Sequence, residues 1–169
     1  MNKVVAEFLR SNDKVVIINY TGSKSNAFVA LRSSIRIVFT YVVFWFASKF
    51  LFWELKNSVY RFFGVKIGKG AVISVDALID PIYPELITIG DGSIIGWSVK
   101  LITHEVAIKY NRIGRINIGK KVVVGAGSIV RSGVTIGDNS IVAMSSFVNK
   151  DVPPNTLVGG VPAKVIKKL

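Results

Sequence analysis

The chain has 169 residues, half of them apolar, enough to bury a sizeable core and to exclude a disordered chain. It contains no cysteine and one histidine, which excludes disulfide staples, thiolate nucleophiles, Cys-ligated zinc and a three-histidine metal centre within one chain, so no metal is expected. The formal charge of +12 attracts phosphate in any form, and nucleic acid, anionic lipid and a phosphorylated cofactor are equally served by it.

In chain order, residues 1–30 carry an apolar run, Val15 to Ile18, and a turn-like stretch, Thr21 to Asn26, to which no function attaches. Glu7, Arg10, Asp13 and Lys14 interrupt any leader pattern, so the expected location is cytoplasmic. Eleven of the eighteen aromatic residues then fall between Phe39 and Phe63, which sets residues 1–63 apart as an N-terminal segment with an apolar, aromatic-rich helix. From Ile37 to Trp53 such a helix rises about 25 Å, short of the roughly 30 Å apolar core of a bilayer. Arg32, Arg36, Glu54 and Arg61 project to one side of the wheel, while Lys49 and Lys56 lie away from them. Three readings of residues 34–63 stay open: an in-plane helix in peripheral contact with a membrane, a helix packed on a partner subunit, and a true span.

Residues 64–169 differ in kind. Aliphatic residues recur every six positions at Ile67, Ile73 and Ile79, at Ile89, Ile95 and Leu101, and at Ile118, Val124, Val130, Ile136, Val142 and Val148. A small or acidic residue tends to follow, as in Ile89-Gly90-Asp91 and Ile136-Gly137-Asp138. A short strand plus a tight turn explains both features, because the aliphatic side chain fills a narrow core and glycine takes turn conformations that a Cβ opposes. Three units make one triangular coil, and about five coils stack into an all-β solenoid with three parallel sheets. The phase breaks between Ile79 and Ile89 and between Leu101 and Ile118 mark inserted loops.

These repeats, with Phe63-Gly64-Val65-Lys66-Ile67-Gly68 at the entrance, Thr103-His104-Glu105 in the second loop and a closing Gly159-Gly160-Val161-Pro162-Ala163-Lys164, resemble the hexapeptide-repeat acyltransferases, a family that includes serine, maltose, galactoside and polysaccharide O-acetyltransferases. The resemblance covers roughly residues 61–169. It implies a left-handed parallel β-helix, a homotrimer with sites between neighbouring chains, and acetyl-CoA as acyl donor. The implied reaction moves acetyl to a hydroxyl of a sugar or glycan, closest to the polysaccharide-modifying branch and at the inner face of a membrane. An amino-acid or amine acceptor is the alternative within the class, and a non-catalytic basic scaffold the alternative outside it. No nucleic-acid partner is expected, because the aromatics that would stack bases concentrate in the N-terminal segment.

His104 stands three residues beyond the last aliphatic of its block, in a polar loop and not in the core. Transfer from a thioester to a hydroxyl needs a base near neutral pH that takes the hydroxyl proton and returns it to the leaving thiolate, and imidazole does both. With no cysteine, attack is direct. Asp80, Asp76, Asp91 and Glu105 are the carboxylates available to orient the ring. Asp80 is favoured, since it lies about one coil earlier once the insertion is discounted, and Asp91 reads as a turn residue. The resemblance assigns donor contacts to Gly125, Ala126, Ala143 and Ser145, and Lys150, Lys164 and Lys167 are cations suited to its phosphates. Met144 and Phe147 depart from the idealised repeat. Trp97, Lys109, Tyr110 and Arg112 are contact or acceptor-loop candidates.

Overall fold

A two-residue strand and a tight turn are the whole unit of this architecture. In the computed structural model, which describes residues 3–19 and 34–169, those units wind into a triangular parallel β-helix. The turn-like stretch Thr21 to Asn26 and Arg32 lie outside the described residues. The first coil consists of β2 (Lys66–Ile67), β3 (Val72–Ile73) and β4 (Leu78–Ile79), and the second of β5 (Ile87–Ile89), β6 (Ile94–Ile95) and β7 (Lys100–Leu101). An inserted hairpin of β8 (His104–Val106) and β9 (Tyr110–Gly114) follows. The third coil is β10 (Ile116–Ile118), β11 (Val123–Val124) and β12 (Ile129–Val130), and the fourth β13 (Thr135–Ile136), β14 (Ile141–Val142) and β15 (Phe147–Val148). The fifth coil is incomplete: Val152 bridges to Ile136, and β16 (Thr156–Gly159) adds to one sheet before β17 (Lys164–Lys168) folds back antiparallel on it.

Pairing is parallel and in register, so each face of the triangle carries one column of aliphatics. Ile67, Ile89, Ile118 and Ile136 stack in sheet I, Ile73, Ile95, Val124, Val142 and Val158 in sheet II, and Ile79, Leu101, Val130 and Val148 in sheet III. Of the twelve aliphatics that set the repeat, eleven are buried, and Ile67 at the open first edge is partly so. Glycine serves this stacking directly: at Gly125 a Cβ would meet the Met144 amide nitrogen of the next coil at 2.6 Å.

The aromatic segment is two helices rather than one. α2 (Ser34–Ser48) ends where the Ser48 hydroxyl donates to the Trp45 carbonyl, and α3 (Trp53–Phe62) begins after a short turn. Phe44, Ala47 and Tyr60 face inward and close the first end of the β-helix core, with Phe44 edge-on to Tyr60 at 4.8 Å and to Phe63 at 5.3 Å. Lys56 is buried, its ammonium donating to the Phe50 carbonyl of the interhelix turn at 3.2 Å, on the side of the helix away from Arg61 and Glu54. No helix among the described residues is long and apolar enough to cross a membrane.

The N-terminal arm joins the inserted hairpin. After α1 (Lys3–Arg10), β1 (Val15–Asn19) pairs antiparallel with β9 along its whole length, from Val15 opposite Gly114 to Asn19 opposite Tyr110. Val5, Phe8, Tyr83, Leu86 and Ile113 form a second small core beneath this sheet.

The aliphatic columns leave no room for collapse. Ile95 is fully buried in sheet II between Ile73 and Val124, and Ile95→Ala is expected to lower stability by about 2–5 kcal/mol in urea unfolding of the full chain, and a loss below about 1 kcal/mol would contradict tight packing there.

Candidate active site

The two insertions sit at the same corner of the triangle, after sheet III, and so their residues meet. Asp80 follows β4 and Thr103 follows β7, one coil apart, and the Asp80 amide donates to the Leu101 carbonyl at 3.2 Å. The Asp80 carboxylate points inward and is 1% exposed. Its Oδ1 accepts from the Ile82 amide at 2.9 Å, and its Oδ2 accepts from the Thr103 amide and hydroxyl, each at 2.8 Å. The fourth donor is the ring of His104, whose Nδ1 lies 2.6 Å from the same Oδ2. A carboxylate in this setting only accepts, so Nδ1 carries the proton and Nε2 is left as the basic nitrogen.

Burial raises the affinity of Asp80 for a proton. The His104 hydrogen bond and charge, with the Ile82 and Thr103 donors, outweigh it and hold the carboxyl below the ordinary range. For His104, burial favours the neutral ring, but the Asp80 hydrogen bond and the charges of Asp80 and Glu105 prevail, and its pKa stands above the ordinary value. The pair is therefore a base whose proton, once taken, is stabilised by a fixed negative charge. It can remove a proton from a hydroxyl and return it to a leaving group.

Glu105 does a different job. Its carboxylate takes two donors from Arg131, at 2.8 and 2.9 Å, and one from the Ser132 hydroxyl at 2.6 Å, with Arg112 at 3.5 Å. These contacts tie the hairpin to the corner of the third coil, and Glu105 acts on His104 through its charge and by fixing β8. Asp76 is ion-paired with Lys49 on the outer surface, and the Asp91 carboxylate accepts from the Lys69 amide at 2.9 Å, a turn role. Among the described residues no three metal-binding side chains converge.

The residues assigned to the donor lie elsewhere on the triangle. Gly125 and Ala126 follow β11, and Ala143 and Ser145 follow β14, so all four stand at the corner before sheet III, where the Ser145 amide donates to the Ala126 carbonyl at 2.8 Å. Lys150, by contrast, is exposed at the same corner as His104, two coils beyond it, and Lys164 and Lys167 project from β17. Trp97 is 60% exposed at the same corner as Ala126. Arg112 bonds the Ser132 hydroxyl at 3.0 Å, while Lys109 is exposed at the hairpin tip and the partly exposed Tyr110 begins β9. What the residue pattern did not reveal is the support behind His104. The Arg115 guanidinium gathers the carbonyls of Phe8, Ser11 and Asp13 at 2.7–3.1 Å and so fixes the arm that pairs with β9. The Val15 to Ile18 run was the visible half of that pairing.

A family model described as bacterial transferase hexapeptide (six repeats) matches residues 115–150. The chain is 35% identical over 133 residues to YvoF of Bacillus subtilis (strain 168), provisionally named an acetyltransferase, covering 78% of this chain and 77% of that one. It is 39% identical over 90 residues to the galactoside O-acetyltransferase of Escherichia coli (strain K12), covering 49% of this chain and 44% of that one. Among solved structures, a hexapeptide-repeat-containing acetyltransferase of Vibrio cholerae O1 biovar eltor, complexed with acetyl coenzyme A, superposes with a TM-score of 0.64 at 26% identity over 89% of this chain and 93% of that one. The shared fold is the left-handed parallel β-helix.

Because the chain has one histidine, a single imidazole resonance reports the dyad. Its pKa is expected above 6.5 in the folded protein and lower in Asp80→Asn, read by NMR titration. A raised histidine pKa contributes stability that is fully present below about 6.5 and is lost as pH rises through the folded value. Asp80→Asn should therefore narrow the stability difference between pH 6 and pH 8; an unchanged histidine titration in that variant would contradict the assignment.

Proposed function

Since the chain belongs to the hexapeptide-repeat acetyltransferases, we propose that it moves an acetyl group from acetyl-CoA to a hydroxyl of a sugar or glycan, with His104 as general base and Asp80 as the residue that orients it. The observation that carries this reading is the buried Asp80 carboxylate 2.6 Å from Nδ1 of the chain's one histidine. The acetyl-CoA in the V. cholerae structure supports the donor, and the galactoside O-acetyltransferase supports the sugar.

Nε2 of neutral His104 takes the proton of the acceptor hydroxyl as its oxygen attacks the thioester carbonyl carbon. The imidazolium so formed is steadied by Asp80, and its proton goes to the sulfur as the carbon–sulfur bond breaks, leaving an ester and free CoA. No acyl-thioenzyme forms, because the chain has no cysteine, and direct attack with His104 as base needs no covalent partner. Ala126, Ser145 and their neighbours would lie along the pantetheine arm, with Lys150, Lys164 and Lys167 near its phosphates.

A homotrimer belongs to the same reading. His104 and the Ala126–Ser145 corner flank opposite sides of sheet III, about 13 Å of extended chain apart. A donor laid along one corner is brought to a base on a neighbouring β-helix more directly than to its own.

The aromatic helices support a peripheral membrane contact through residues 34–63, and with it a cytoplasmic enzyme working at the inner face. Ile35, Leu51, Phe52 and Phe62 are each more than three-quarters exposed on a strongly basic chain. Apolar patches of this kind mark binding surfaces, and the helices are too short to span.

His104→Ala is expected to lower kcat for acceptor-dependent CoA release by about 10²–10⁴ while circular dichroism stays unchanged; a variant with undiminished turnover would sink the mechanism. The Leu51→Asn, Phe52→Asn double variant should lose co-sedimentation with phosphatidylglycerol vesicles. Equal sedimentation of variant and parent would remove the membrane contact.

A further inference from the structure

A groove separate from the His104–Asp80 pair runs between α2 and β4. It has a cavity volume of about 130 Å3 and is lined by Tyr41, Trp45, Lys49, Asp76 and Pro81 over a floor that includes Leu78. Its two ends differ. At the far end Asp76 forms an ion pair with Lys49, the Trp97 side chain lies near enough to help hold the Asp76 carboxyl below its ordinary range, and the Lys49 ammonium lies 5.9 Å from the centroid of the Trp45 ring. At the near end stands Pro81, the residue after the Asp80 that holds His104. The groove thus runs from a charged, aromatic cluster to the residue that follows Asp80.

The chemistry of the lining selects a ligand. A sugar ring has an apolar face of C–H bonds and an edge of hydroxyls that both donate and accept. Tyr41, Trp45 and Trp97 are each about half exposed and offer flat faces for the first. The Asp76 carboxylate accepts and the Lys49 ammonium donates for the second. A purely apolar ligand would take water from that ion pair without replacing it, and an anionic one meets the Asp76 charge.

We infer that this groove is a second sugar subsite, holding a unit of the acceptor other than the one being acetylated, so that the acceptor is an oligosaccharide or polysaccharide and not a free monosaccharide. The inference rests on the sugar-acceptor reading above and adds to it the length of the acceptor. From Asp76 to Asp80 is about 13 Å of extended chain, longer than one sugar ring.

The test uses the full chain with acetyl-CoA and three acceptor series, malto-, cello- and chito-oligosaccharides of one to six units. In any series that turns over, KM should fall as units are added, by about three- to tenfold once the groove is filled. Trp45→Ala and Lys49→Gln should remove that gain for long acceptors. Trp45→Phe should keep most of it, which separates a lost platform from a disturbed helix. As a binding readout, the tryptophan emission of His104→Ala should change on adding the hexamer of a series that turns over in the parent, without acetyl-CoA, and not in the His104→Ala, Trp45→Ala double variant. Turnover with a KM independent of length, or length dependence untouched by Trp45→Ala, overturns the subsite and leaves the transferase intact. Turnover with amines or amino acids but with none of the three series overturns the sugar reading and the subsite with it.

Discussion

The register of three aliphatic columns is the constraint from which the rest of this molecule follows. Sheet I, sheet II and sheet III each stack one inward side chain above the last, and the triangular bore admits nothing larger than an isoleucine or leucine. Extra residues can enter only at a corner, where the chain already turns away from the bore. Both insertions use the corner after sheet III, and stacking of coils then brings together Asp80 and His104, which are 24 residues apart in sequence. Catalytic geometry here is a by-product of a packing rule.

A second constraint is electrostatic. Sinking a carboxylate to 1% exposure is unfavourable unless donors replace its water, and Asp80 has four, two of them backbone amides fixed by the coils themselves. Those amides do not titrate. They keep Asp80 charged whether or not His104 carries its second proton, which lets the imidazole cycle between states beside a constant partner. Glu105, by contrast, is ion-paired with Arg131 and Arg112 and works chiefly as a brace for the strand that carries the histidine.

Much of this is legible along the chain, and the limit has a physical cause. Ile67 through Val148 keep a beat of six because each is set by its immediate neighbours in the stack, so a local pattern carries a local rule. The breaks after Ile79 and Leu101 expose the insertions, and the position of Asp80 one coil before His104 follows by counting. Contacts that ignore the beat are invisible to it. The pairing of Val15–Asn19 with Tyr110–Gly114 depends on two strands far apart in sequence, and a four-residue apolar run announces no partner. The division of the aromatic segment at Lys49–Phe52 depends on the first coil below it, where Asp76 takes Lys49 and the Asp76 amide bonds the Ser48 carbonyl. The number of coils was read as about five; four are complete, because the closing Gly159–Lys164 stretch turns back on sheet II instead of winding on.

The arm that braces the hairpin also sets an order of events during synthesis. The guanidinium of Arg115 holds carbonyls of Phe8, Ser11 and Asp13 that lie 107, 104 and 102 residues earlier in the chain. Coils can form on one another as they emerge, since each needs only the one before it. Residues 3–19, made before the coils, have little to bind until the hairpin and the start of the third coil exist. A nascent chain that ends between His104 and Arg115 possesses its histidine and its aspartate while the arm that braces their hairpin is still unanchored, so the order of synthesis places the brace after the pair it supports.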